Sequence, residues 1–167
     1  MLVAQSLGVY LGRKRILHDV SLQAEPGEVT VVIGPNGSGK TTLLRALTGE
    51  LRFRGSAMIN STDIARARPW ELAGVRGVLA QSTTLAFPFT VYEVVRLGLT
   101  TGLAPPGMSE AELVEQALEK VDLLGYSRRF YQELSGGEQQ RVQLARVLCQ
   151  VLEPERDGEA RYLFLDE

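Results

Sequence analysis

The chain has 167 residues, with 18 basic and 20 acidic side chains and a formal net charge of −2, a balance that argues against broad nucleic-acid binding by electrostatics alone. A single cysteine, Cys149, rules out an internal disulfide and suits a reducing compartment. The length is enough to bury a real core, no apolar run approaches the roughly 20 residues that span a bilayer, and the N-terminal MLVAQSLGVYLGRKR lacks a secretory apolar region with a cleavage site, so a cytoplasmic globular chain is expected.

Residues 1–60 read as short strands and turns. His18 is expected in an exposed loop, and Glu25-Pro26-Gly27-Glu28 as a turn, with proline presetting φ and glycine supplying a positive one. The apolar run Val29 to Ile33 reads as a buried strand. It feeds Gly34-Pro35-Asn36-Gly37-Ser38-Gly39-Lys40-Thr41, which fits G-x-x-x-x-G-K-[ST]. Thr41 to Leu47 then reads as a helix. Glycines let such a loop curl its N–H groups around a phosphate, and the following helix N-terminus adds positive potential. Lys40 would reach the β- and γ-phosphates, and the Thr41 hydroxyl would ligate magnesium.

Further along, Gly55 to Asn60 reads as a strand, and Pro69 opens a short helix to Ala73. The apolar Gly77-Val78-Leu79-Ala80 leads to Gln81. Beyond Ser82 the pattern turns helical. Thr90-x-x-Glu93 and Ser109-x-x-Glu112 are capping boxes. The second opens a helix with Leu113, Ala117, Val121 and Leu124 on one face and Gly125 as its stop. Pro105-Pro106-Gly107 marks a loop within this insertion. A third capping box joins Ser135 to Glu138 in Leu134-Ser135-Gly136-Gly137-Glu138-Gln139-Gln140. Its helix carries Val142, Ala145, Cys149, Leu144, Leu148 and Val151 as apolar positions. The paired glycines beside the serine make a second anion site at a positive helix end. Cys149 falls on the apolar face and is expected to be a core thiol.

Three stretches together resemble one family. GPNGSGKTT is similar to the Walker A loop of ABC ATPases, LSGGEQQ to their signature motif, and Tyr162-Leu163-Phe164-Leu165-Asp166-Glu167 to their Walker B strand with its catalytic glutamate. Gln81 sits where that family has its Q-loop glutamine. The resemblance implies an α/β fold: a P-loop NTPase (RecA-like) core with an N-terminal antiparallel β subdomain and an inserted α-helical subdomain. It divides the chain into a nucleotide-binding core, residues 1–81 and 159–167, and a helical part, residues 82–158, with the signature helix and a linker. The sequence stops directly after the Walker B strand, before the D-loop and switch histidine of the family, so a fragment incomplete at the C-terminus and inactive in turnover is expected.

The resemblance also assigns roles. Gly34, Pro35, Asn36, Gly37, Ser38, Gly39, Lys40, Thr41 and Thr42 would bind ATP. Thr41, Gln81 and Asp166 would serve magnesium, the aspartate through water. Glu167 would be the general base, and Gln81 would sense the γ-phosphate. Ser135, Gly136, Gly137 and Glu138 would complete the site of a second copy packed head to tail, so hydrolysis implies a homodimer. Adenine would stack on Tyr10, although Leu11 fits the family's position equally well.

Within the family the chain is most similar to importer ATPases for iron complexes and cobalamin. Leu85-Ala86-Phe87-Pro88-Phe89-Thr90-Val91 and the linker Glu153-Pro154-Glu155-Arg156-Asp157-Gly158 are similar to the haemin-importer subgroup. That implies integral membrane permease partners, an indirect periplasmic substrate-binding protein, no nucleic acid, and a place at the cytoplasmic face of the inner membrane. Phe87 and Phe89 read equally well as core plugs or as a partner-binding patch. The alternatives are a siderophore or cobalamin importer, or a soluble ABC ATPase outside transport.

Overall fold

The structure, a computed structural model, describes residues 1–80, 85, 87–100, 107–151 and 159–166. Strands β1 (Leu2–Leu11) and β2 (Lys14–Ala24) form an antiparallel hairpin, longer than the short strands expected. On the other side of β1 lie β3 (Arg54–Ile59) and β4 (Thr62–Asp63), giving the order β2-β1-β3-β4. The inward residues of β1 change phase, from Leu2 and Ala4 to Leu7 and Val9. A strict two-residue alternation cannot bury both pairs. A bulge resolves it: Ser6 takes φ 53° and donates its N–H to the Ser21 hydroxyl at 2.9 Å. Gly55 is required opposite, because a Cβ there would lie 2.4 Å from both the Gln5 and Ser6 carbonyl oxygens.

Helix α1 (Lys40–Leu47) buries Leu43, Ala46 and Leu47 against this sheet. Helix α2 (Pro69–Ala73) has the expected bounds and adds Leu72. A second sheet pairs β5 (Arg76–Leu79) in parallel with β6 (Tyr162–Leu165), and Val78, Tyr162 and Phe164 join the same core. A separate core unites α3 (Val91–Arg96), α4 (Glu110–Glu119) and α5 (Gly136–Val151) around Val94, Val95, Val114, Leu118 and Val142. Short 3-10 turns at Leu97–Thr100 and Tyr131–Glu133 link these helices.

Several expectations need correcting. Val29 to Ile33 is not a buried strand: Val29, Val31 and Ile33 are 91%, 71% and 87% exposed. A strand exists through its ladder, and among the described residues none pairs with this run. Helix α4 stops before Gly125, because Asp122 already takes φ 56°. The chain bends there, so Val114, Ala117, Leu118, Val121 and Leu123 are buried while Leu124 is 63% exposed. In α5 the buried positions include Val147 and Gln143, whereas Leu144 and Leu148 lie at the margin of the core. His18 is exposed as expected, but on β2 rather than in a loop. The residues of the linker 152–158 and Pro105-Pro106 lie outside the described residues.

Candidate nucleotide-binding site

The loop Gly34 to Gly39 is held open by its own turns. The Ser38 N–H donates to the Pro35 carbonyl at 3.2 Å, and Gly37 and Gly39 take φ 79° and 97°. Gly39 is the N-cap of α1 in the left-handed conformation, with no side-chain cap. The first amides of α1 therefore need an acceptor from outside, which is the condition for anion binding at a helix end. Gly39 also sits against the hairpin: a Cβ there would meet the Leu17 side chain at 3.0 Å and the Ile16 side chain at 3.3 Å.

Lys40 folds back onto the loop. Its ammonium donates to the Gly34 carbonyl at 2.8 Å and the Pro35 carbonyl at 3.1 Å. Beside it the Thr41 hydroxyl donates to Asp166 Oδ1 at 3.0 Å. The two come from opposite ends of the chain, 125 residues apart. β6 delivers the aspartate: its parallel register with β5 continues past Leu165, where the Asp166 N–H donates to the Leu79 carbonyl at 3.1 Å. Phe164 is buried beneath, which anchors the strand end. A cavity of about 260 Å³ opens between α1 and these strand ends, lined by Thr41, Arg45, Val78, Phe164 and Asp166 among others. Thr41 and Asp166 supply hard oxygen donors at one point, which fits a magnesium ion. Gln81 and Glu167, expected beside them, lie outside the described residues.

The signature segment is separate and exposed. Ser135 caps α5 through a full capping box: its N–H and hydroxyl donate to Glu138 Oε2 at 2.8 and 2.6 Å, and the Glu138 N–H returns a bond to the hydroxyl at 3.4 Å. These bonds from Ser135, with one from the Tyr126 hydroxyl, hold the Glu138 carboxyl below its ordinary value. Gly136 and Gly137 face open space. Gln139 fixes the approach by donating to the Tyr131 and Leu134 carbonyls. Burial pushes the Cys149 thiol up to about 12, which makes it the inert core thiol expected.

Tyr10 is 44% exposed at the end of β1, with the Arg54 and Arg15 guanidinium carbons 5.2 and 5.9 Å from its ring centroid. Neighbouring Leu11 is equally accessible, at 47%. The arginines beside the ring were not legible in the sequence, because strand pairing brings Arg15 across from Tyr10 and the β3 pairing brings Arg54 beside them. Phe87 is 69% exposed, whereas Phe89 packs against the helical core, edge-on to Phe87 at 6.5 Å between ring centroids.

A phosphate loop at the head of a helix, with a strand-borne aspartate on its threonine, defines a P-loop nucleotide-binding domain. A family model described as ABC transporter matches residues 17–167, and the chain belongs to that family. The hemin import ATP-binding protein HmuV of Rhizobium meliloti (strain 1021) is 58% identical over 170 residues, covering 100% of this chain and 64% of the relative. HmuV of Mesorhizobium japonicum is 57% identical with the same coverage. The chain thus spans under two thirds of the length of these relatives. Among solved structures, cbiO1 of Clostridium perfringens, part of the ABC transporter complex cbiONQ, superposes with a TM-score of 0.80 at 26% identity, over 99% of this chain and 64% of that one. A nucleotide-free ATP-binding cassette from an ABC transporter gives 0.79 at 25% identity, over 99% and 81%.

Proposed function

We propose that the full-length protein is the ATP-hydrolysing subunit of an ABC importer for haemin, working as a head-to-tail homodimer under two membrane permease subunits at the cytoplasmic face of the inner membrane. The observation that carries the nucleotide chemistry is the Thr41–Asp166 bond of 3.0 Å beside the phosphate loop. That bond supports reading these two oxygens as the magnesium side of the site, beside the lysine that would meet the phosphates. The haemin assignment rests on the hemin-import relatives at 52–58% identity, and no helix among the described residues is long and apolar enough to cross a membrane.

In this reading the amides of Gly37 to Thr41 receive the phosphates, and the Lys40 ammonium exchanges the Gly34 and Pro35 carbonyls for phosphate oxygens. Thr41 and Gln81, with Asp166 through water, would hold magnesium, which would supply charge neutralisation at the phosphates. Glu167 accepts a proton from the attacking water. Ser135, with Gly136 and Gly137, donates to the γ-phosphate of the partner copy, for which the Ser135 hydroxyl turns away from Glu138. Adenine stacks beside Tyr10 or Leu11. The division into a core of residues 1–81 and 159–167 and a helical part of residues 82–158 lets these two anion sites move relative to each other.

The test is the full-length protein reconstituted with its permease subunits in vesicles. Haemin-dependent uptake with matching ATP turnover, both lost on Lys40→Ala, is expected. Turnover stimulated by a siderophore or cobalamin but not by haemin would move the substrate assignment to those importers. Turnover indifferent to the permease would favour the soluble alternative.

A further inference from the structure

At its C-terminal end the signature helix is hydrogen-bonded to the nucleotide-binding core through Gln150. The Gln150 amide donates to the Ala73 carbonyl at 2.9 Å and to the Arg76 carbonyl at 3.0 Å. Ala73 is the last residue of α2, where helix carbonyls lack intrahelical partners, and Arg76 is the first residue of β5. The Gln150 carbonyl in turn accepts from the Arg161 guanidinium at 3.4 Å, immediately ahead of β6. A single residue therefore touches the roots of both strands whose far ends carry Ala80 and Asp166. The strand beneath is in direct contact with the helix: a Cβ on Gly77 would lie 2.5 Å from a Val147 methyl and 3.0 Å from a Val151 methyl.

We infer that Gln150 is a positioning residue for ATP hydrolysis: its clamp sets the tilt of α5 on the core and thereby the place of Ser135 in the partner's site. The inference rests on the ATPase reading above and deepens it. The geometry is that of a lever. A helix of 16 residues is about 24 Å long, so a tilt of about 2.5° at the Gln150 end displaces the Ser135 end by about 1 Å. A misplacement of about that size costs roughly 100-fold in rate when the displaced group must meet a reacting one. The apolar contacts of Val147 and Val151 resist separation of helix and strand but not sliding, since burial is non-directional. The two hydrogen bonds supply the direction.

The test compares Gln150→Met, which keeps length and shape but cannot donate, with Gln150→Lys, which restores a donor for both carbonyls. Both are made in the full-length protein, and fluorescent-ATP affinity, KM and kcat are measured. For Gln150→Met the expectation is ATP affinity within about 2-fold of wild type and kcat reduced about 10-fold, below the rigid-lever limit of about 100-fold. Gln150→Lys should recover most of that loss. Wild-type kcat in Gln150→Met, or no recovery in Gln150→Lys, overturns the inference. So does a loss of ATP affinity in step with kcat, which would make Gln150 a fold-holding residue only. Wild-type turnover that survives Lys40→Ala would instead sink the ATPase reading itself, whatever Gln150 does.

Discussion

The Lys40 side chain is tied to two carbonyls of its own loop, so in the proposed site phosphate would replace protein contacts rather than capture a free side chain. A phosphate oxygen bears more negative charge than a carbonyl, and the exchange is favourable for that reason. Lys40→Ala removes a net charge-assisted interaction of about 1.5–3 kcal/mol, and should weaken ATP binding roughly 10- to 100-fold. A fluorescent-ATP titration on the folded full-length protein checks this; unchanged affinity would show that phosphate binds elsewhere. Glu167→Gln should leave ATP affinity intact while kcat falls by about 10²–10⁴, the usual worth of a general base. In the proposed head-to-tail dimer this variant would close on ATP without resetting, so gel filtration with ATP should then find it as a dimer. Turnover at the wild-type rate would remove Glu167 from that role.

At the scale of the element, three helices begin with the same device. Thr90 with Glu93, Ser109 with Glu112, and Ser135 with Glu138 each exchange side-chain and backbone bonds. In the first two the backbone N–H of the capping residue is the main cause that lowers the glutamate pKa, and in the third the Ser135 hydroxyl is. The sign follows from linkage: a carboxyl depressed in the folded state adds stability that is complete above its unfolded value, 4.5, and is lost as pH falls through the lower folded value. Far-UV circular dichroism should therefore hold steady from neutral pH to the ordinary carboxylate range and decline below it. Ser109→Ala, which breaks one box, should lower helicity at neutral pH and shrink that acid step; an unchanged acid step would assign it to other carboxylates. These caps were legible because each is local chemistry over four positions. So were the phosphate loop and α2, where glycine, lysine and proline act on their immediate backbone. What the sequence left unread was set by distant chain. Val29 to Ile33 has the composition of a strand, but pairing partners decide whether it becomes one. The β1 bulge at Ser6 depends on Ser21. The early end of α4 depends on Asp122, a residue that tolerates positive φ without announcing it. The Thr41–Asp166 meeting was legible only through the family resemblance, since nothing local joins the two residues.

For the whole molecule, the question is how a permease would sense the nucleotide. The segment that follows Gln81 is stitched to the segment that precedes Ser135. The Val91 and Tyr92 N–H groups donate to the Arg129 and Ser127 carbonyls, both at 2.9 Å, and the Tyr131 N–H donates to the Phe89 carbonyl at 2.8 Å. Gln132 reaches the Phe87 carbonyl as well. Motion of this seam would therefore carry the signature with it. Its outer side holds the exposed Phe87 and a shallow depression of about 440 Å³ lined by Leu85, Pro88, Phe130, Gln132 and Glu133. An aromatic beside a rigid proline and an apolar hollow is the kind of surface where a partner helix finds its anchor. The packing separates the two phenylalanines: Phe89 serves the helical core and Phe87 faces outward. Phe87→Ala in the full-length protein should keep basal ATPase near wild type while transporter assembly or haemin uptake falls. Truncating an interface aromatic costs on the order of 2 kcal/mol when it is an anchor, which is about 30-fold in affinity for the permease. Phe89→Ala should instead destabilise the subunit by about 3–5 kcal/mol if fully cored, and less for a partly buried ring. Thermal melts of both variants beside an uptake assay separate the two roles. Uptake at the wild-type level in Phe87→Ala would place the permease contact elsewhere on this subunit, and a melt for Phe87→Ala lowered as far as that of Phe89→Ala would return both rings to the core.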